Sequence, residues 1–137
     1  MANLVEDNLL TASNLDRDTL ASALDTIHVH NNDYGDLYFQ SSQHETWVLE
    51  DGIIKEGSYN IERGVGVRAV SGEKTGFAYS DDISPAALLK AAKAARSISP
   101  QGGSHKVAAF SSCSAHSRYA SDNPLLGMQE QEKIALL

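Results

Sequence analysis

Between residues 36 and 79 the chain alternates short apolar or aromatic runs with tight-turn signals, leaving no stretch between them for a helix. Asp36 to Gln40 is rich in aromatic and apolar types, and Glu45 to Leu49 reads as a further strand. Ile53-Ile54-Lys55, Ser58-Tyr59-Asn60-Ile61, Gly64 to Val70 and Thr75 to Tyr79 follow as further strand-like pieces. Glu50-Asp51-Gly52 and Ser71-Gly72-Glu73-Lys74 are turn signals, Gly52 being free to take a positive φ. Parallel neighbours need crossovers of a dozen or more residues, so strands joined this closely form an antiparallel meander of hairpins.

Val65 and Val67 fall on one face of their strand, and that face needs a cover. The flanking segments provide one. Residues 83–98, ISPAALLKAAKAARSI, read as a helix with Ser84 as N-cap and Pro85 at the first helical position, where its missing N–H costs nothing. Leu88, Ala91, Ala92 and Ala95 make a stripe narrow enough for close approach to a sheet, and Lys90, Lys93 and Arg96 lie toward the end that favours cations. The first 30 residues read as two helical pieces. Leu4, Val5, Leu9 and Leu10 form one stripe, and Leu20, Leu24, Ile27 and His28 form the other, with Asp16 or Asp18 as a cap. Helix, then strands, then helix predicts an α+β fold of two layers, an antiparallel sheet with helices on one face.

Three regions are expected: an α+β domain over 1–98, a Ser/Gly-rich loop segment over 99–124 with an edge strand near Val107 to Phe110, and a helix starting at 125. That last helix, in LLGMQEQEKIALL, has no C-cap glycine and runs apolar to Leu137. The expectation is a chain cut from something longer.

The 137 residues suit one core. Eleven basic against 18 acidic residues give a net charge of -7, and the basic residues are scattered, which disfavours direct nucleic-acid binding. The N-terminus is acidic where a secretion signal is basic, no run approaches a membrane span, and Cys113 is the only cysteine. A cytoplasmic protein without membrane partners is expected.

His44-Glu45 opens like the zinc-peptidase signature H-E-x-x-H, which sets two imidazoles one helical turn apart with the Glu beside a bound water. Val48 and Leu49 stand where the second histidine would be needed, and Thr46 to Leu49 reads as a strand, which sends His44 and Glu45 to opposite faces. The pair reads as strand residues. Cys113 and His116, supplemented only by His105, fall short of a four-ligand site. Ser41, Ser42, Ser111, Ser112 and Ser114 lie near histidines without a G-x-S-x-G elbow. Gly64-Val65-Gly66 lacks the third glycine and following helix of a dinucleotide fingerprint, and Gly102 to Lys106 lacks the spacing of a P-loop. His28 and His30 read as helix C-terminal residues. Trp47, Tyr34, Tyr38, Tyr59 and Tyr79 read as core and sheet-face residues, with any exposed member free to line an interface.

Residues 33–84, DYGDLYFQSSQHETWVLEDGIIKEGSYNIERGVGVRAVSGEKTGFAYSDDIS, resemble the N-terminal domain of TldD proteins in the TldD/PmbA family. The DYGDLYFQ, SYNI-GVGVRA and SGEKTGFAY runs carry the resemblance, which fades over 99–123. It implies a bacterial cytoplasmic zinc metallopeptidase that pairs with a PmbA (TldE) subunit, cleaves unfolded or short peptides, and has been linked to modulation of DNA gyrase. The family's H-E-x-x-x-H helix and ligand cysteine lie downstream of this region. No position here matches them, so no catalytic or metal residue is assigned, and zinc is expected in the parent but not on this chain. The implied role is scaffold, subunit pairing and substrate enclosure, with a sheet edge able to hold an extended peptide. The alternative is a stand-alone binding or adaptor module; an independent Ser or Cys hydrolase is a third, weaker reading.

Overall fold

A computed structural model describes residues 4–29, 32–98 and 122–137. The order is α1 (Leu4–Leu9), a single 3-10 turn (Thr11–Ser13), α2 (Arg17–His28), β1 (Tyr34–Glu50), β2 (Ile53–Ser71), β3 (Lys74–Ser80), α3 (Pro85–Arg96), a second 3-10 turn (Pro124–Leu126) and α4 (Glu130–Ala135). The three strands form one sheet in the order β1-β2-β3, an antiparallel meander.

The six strand-like pieces expected from the sequence are therefore three strands, two of them long. Glu56-Gly57 and Glu62-Arg63 look like interruptions in the sequence but lie inside β2. The true breaks are Asp51-Gly52, where both residues have positive φ (51° and 74°), and Gly72-Glu73, where Gly72 has φ 58°. Two consecutive positive φ values are the type I′ combination, whose twist matches that of the strands it joins.

The described residues belong to two compact units: 4–41 with 63–98, and 42–62 with 122–137. The first unit contains the core. Val65, Val67 and Ala69 line the inner face of β2 without exposed surface, packed with Ile27 and Ala23 of α2 and with Leu88, Ala91, Ala92 and Ala95 of α3. Leu37 and Phe39 of β1 and Ala78 of β3 adjoin them. The helix starts follow from their caps: Asp16 Oδ1 accepts from Thr19 N–H at 2.7 Å, and Ser84 Oγ accepts from Ala87 N–H at 3.3 Å. Each satisfies an amide that the first turn leaves without an intrahelical partner. Arg63 donates to the Asn8 carbonyl at 2.9 Å, tying β2 to α1.

The alanine stripe has the consequence expected of it. A Cβ built on Gly76 of β3 would lie 2.2 Å from the Ala95 carbonyl oxygen, so α3 sits on the strand at backbone contact. The entry to β1 is equally specific. Buried Asn32 donates to the Ile27 carbonyl at 2.7 Å, closing the end of α2, and Asp33 N–H donates to the Val70 carbonyl at 2.8 Å. Asp33 Oδ2 accepts from Gly72 N–H at 2.6 Å and so fastens the β2–β3 turn.

The second unit is a hairpin, 42–50 with 53–62, and the segment 122–137. The helix expected from 125 begins at Glu130, because Asn123 accepts from Leu125 N–H at 3.0 Å and starts a separate turn that ends before Gly127. The expected loop and edge strand over 99–121, with Cys113, His105 and His116, lie outside the described residues, as does His30. No helix among the described residues is long and apolar enough to cross a membrane.

Two substitutions test this packing by urea unfolding. Leu88→Ala, which empties a fully buried site, should cost about 2–5 kcal/mol, and Gly76→Ala, which presses a methyl group on the Ala95 carbonyl, about 1–3 kcal/mol; unchanged midpoints would contradict the packing described.

Candidate functional site

Two surfaces stand out, one in each unit. In the first, the outer face of the sheet is aromatic and uncovered by the described residues. Tyr34, Asp36 and Tyr38 of β1 alternate with inward-facing Gly35, Leu37 and Phe39. The β2–β3 register places Arg68 opposite Phe77 and Gly66 opposite Tyr79. Phe77 and Tyr79 are 66% and 65% exposed, so Tyr79, like Tyr34 and Tyr38, is one of the exposed sheet-face residues that the sequence reading allowed for. Their rings lie across the strand on Gly64 and Gly66, where a Cβ would meet Tyr79 Cε2 at 2.7 Å and Phe77 Cε2 at 3.0 Å. These glycines are thus close-approach positions for aromatic rings, not a phosphate cradle.

Arg68 stands in the middle of this face. Its guanidinium pairs with Asp36 through Nη2 to Oδ2 and through Nε to Oδ1, the latter at 3.2 Å, and lies 5.5 Å from the Tyr34 ring centroid. The hydrogen bonds that Arg68 donates to Asp36 push the Arg68 pKa up, because they favour the charged form. The two-pronged geometry holds both side chains in place across the strands and so gives the face a rigid polar centre between aromatic residues.

In the second unit none of the described residues is buried. Its hairpin instead exposes Val48, Leu49, Ile53, Tyr59 and Ile61, with Ile53 at 59% and Ile61 at 50%. A two-stranded hairpin is marginal in water, and Val48 and Leu49, consecutive on β1, put exposed apolar side chains on both of its faces. One polar cluster fastens it to 122–137. Glu45 accepts from Trp47 Nε1 at 2.6 Å and from Lys133 Nζ at 2.9 and 2.7 Å, and Lys133 also donates to the Leu125 carbonyl at 2.6 Å. Asn123 donates to Gln43 at 2.8 Å. The Trp47 ring rests on Gly57, where a Cβ would lie 2.7 Å from Cζ3.

The His44-Glu45 pair is accordingly divided: His44 is exposed, and Glu45 is taken up by Trp47 and Lys133. Among the described residues no group of three or more His, Cys, Asp or Glu side chains comes together to hold a metal, so these residues do not fit a zinc site. Sequence reading missed Lys133 and Arg68. Lys133 is 88 residues from its partner, and Arg68 resembles any exposed strand cation until Asp36 is placed beside it.

Over residues 35–99 the chain matches the family described as PmbA/TldA metallopeptidase domain 1. It is 53% identical over 139 residues to a Haemophilus influenzae protein called "Metalloprotease TldD homolog", covering 100% of this chain and 29% of that protein. Proteins of the same name from Buchnera aphidicola, of the Acyrthosiphon pisum and Schizaphis graminum subspecies, are 46% and 45% identical, each over 98% of this chain and 28% of their own length. The chain spans less than a third of the curated relatives it matches.

The Glu45 cluster has a pH signature. Hydrogen bonds from Lys133 and then Trp47 hold the Glu45 carboxyl below the ordinary glutamate range. A carboxylate whose folded pKa is lowered adds stability above its unfolded pKa and loses it as pH falls through the folded value. Emission from Trp47, the only tryptophan, should therefore change on acidification below the ordinary glutamate range, and Lys133→Ala should move that change toward higher pH; a transition unmoved by Lys133→Ala would exclude the pairing.

Proposed function

Because the chain belongs to the TldD/PmbA metallopeptidase family, as an N-terminal portion of a TldD protein, we propose that it is the non-catalytic scaffold of a zinc metallopeptidase. Its task is to pair with a PmbA-type subunit and to wall the space in which unfolded or short peptides are cleaved in the cytoplasm. Zinc and the hydrolytic residues belong to the parent's remaining length, and a TldD-like active site supplies a Lewis acid and an activated water when its metal is bound.

The observation that carries this reading is the 42–62 hairpin, whose apolar residues have no buried member in their own unit. Such a surface gains free energy when a second surface removes it from water, at about 25 cal/mol per Å² of apolar area. The relatives' additional length and a pairing subunit are the covers this reading offers. The aromatic outer sheet face, with rigid Arg68 at its centre, has the make-up of an interface core, where aromatic residues and arginine concentrate.

Co-purification of the parent protein with a PmbA-type subunit tests the reading. Ile53→Glu with Ile61→Glu should weaken pairing by at least about tenfold, a loss of about 1.4 kcal/mol or more, while leaving the thermal unfolding of the 137-residue chain nearly unchanged. Full pairing by the doubly substituted protein would contradict it.

A further inference from the structure

In the second unit, residues 122–137 meet one face of the hairpin and enclose a pocket there. Glu45 and Trp47 are two apart on β1, Gly57 and Tyr59 are two apart on β2, and the Trp47 ring rests on Gly57, so all four share that face. Leu125 and Leu126 of the second 3-10 turn, with Glu130 and Lys133 about one turn apart on α4, complete a pocket of about 320 Å³. Two aromatic rings, two leucines and three charged groups are thereby brought to one place.

The hydrogen bonds show which of those charges are already spent. An ammonium group has three donors. Those of Lys133 are placed on Glu45 Oε1 at 2.9 Å, on Glu45 Oε2 at 2.7 Å and on the Leu125 carbonyl at 2.6 Å, so none is left to hold an anion. Glu45 is neutralised by Lys133 and also accepts from Trp47 Nε1 at 2.6 Å. The Glu130 carboxylate has no hydrogen-bond or ion-pair partner among the described residues, which leaves the pocket with one negative charge uncompensated. The indole is fixed as well, its N–H held by a carboxylate and its ring seated on Gly57. Donation of the N–H to an anion polarises the ring toward more negative charge on its faces, and indole is the best aromatic partner for a cation.

We infer that this pocket is a binding site for an alkylguanidinium cation, with its flat head on the Trp47 and Tyr59 rings, the Glu130 carboxylate as counter-ion and its apolar stem on Leu125 and Leu126. The spent donors of Lys133 exclude an anion, and the unspent charge of Glu130 selects a cation over a neutral molecule. A guanidinium is preferred to an ammonium because it is planar, more weakly hydrated, and offers a carboxylate two parallel donors. A free small guanidine and an arginine side chain present this same chemistry. The site goes beyond the scaffold role, because the hairpin and 122–137 build it without a second subunit or a metal.

Trp47, the only tryptophan, reports occupancy of the pocket directly. Titration of the 137-residue chain with n-butylguanidinium at neutral pH and low salt should change Trp47 emission saturably, with a Kd of about 5 mM or below. The neutral isostere n-butylurea and the anion pentanoate should each bind at least about fivefold more weakly. Glu130→Gln keeps the shape of the side chain and leaves the Glu45–Lys133 pair in place; it should weaken n-butylguanidinium by about fivefold, and Tyr59→Leu by about threefold, with the emission maximum of the unliganded chain unmoved. Acetyl-arginine amide separates the two sources: tighter binding than n-butylguanidinium assigns the site to arginine side chains and weaker binding to free guanidines, either order supporting the site. No saturable change up to about 50 mM, equal binding of n-butylurea, or full affinity in Glu130→Gln would each overturn it. The ligand comparisons need no variant to fold.

Discussion

Backbone contact between α3 and β3 is the constraint on which the first unit depends. With Ala91, Ala92 and Ala95 on the helix and Gly76 and Ala78 on the strand, the two elements approach until a single added methyl group would strike a carbonyl. At that distance Leu88 is fully buried in one cluster with Val65, Val67 and Ile27 of α2. Close packing of this kind tolerates little change in volume, because dispersion and burial are both lost when a gap opens.

The same packing leaves the rest of the sheet unserved. Two helices cover one face of the sheet within the first unit, so the outer face carries Tyr34, Tyr38, Phe77 and Tyr79 into solvent, and the 42–62 hairpin carries its isoleucines there too. Family membership gives this exposure a physical sense: the chain spans less than a third of its relatives, and apolar surface unused within it is available to whatever completes the parent. Arg68 with Asp36 is the fixed polar centre of that outer face, and Glu45 with Lys133 ties the hairpin to 122–137.

Much of this was legible in the residues. Ser84 and Pro85 mark the start of α3, Asp16 the start of α2, and the alternate valines of β2 its buried face, because caps and periodicities are local consequences of geometry. The strand lengths were not. Over 42–62 no face is buried, so no selection for alternating hydrophobicity leaves a pattern, and Gly57 looks like a break although it makes room for the Trp47 ring. Nor could Lys133 be foreseen as the partner of Glu45, since pairing across 88 residues has no sequence signature. The histidine-glutamate pair was legible as strand residues, because a metal motif is defined by what its backbone aligns, and β1 aligns Glu45 with Trp47 instead of with a second histidine.

The central claim, that this chain is a scaffold whose uncovered hairpin is covered in the complete assembly, is tested most directly by amide hydrogen exchange. The measurement compares the 137-residue chain alone with the same residues in the full-length parent bound to a PmbA-type subunit. Exchange over residues 42–62 should slow by about tenfold or more in the assembly, while that of Val65, Val67 and Leu88, already buried, should change little. Equal exchange of 42–62 in both states would contradict the account.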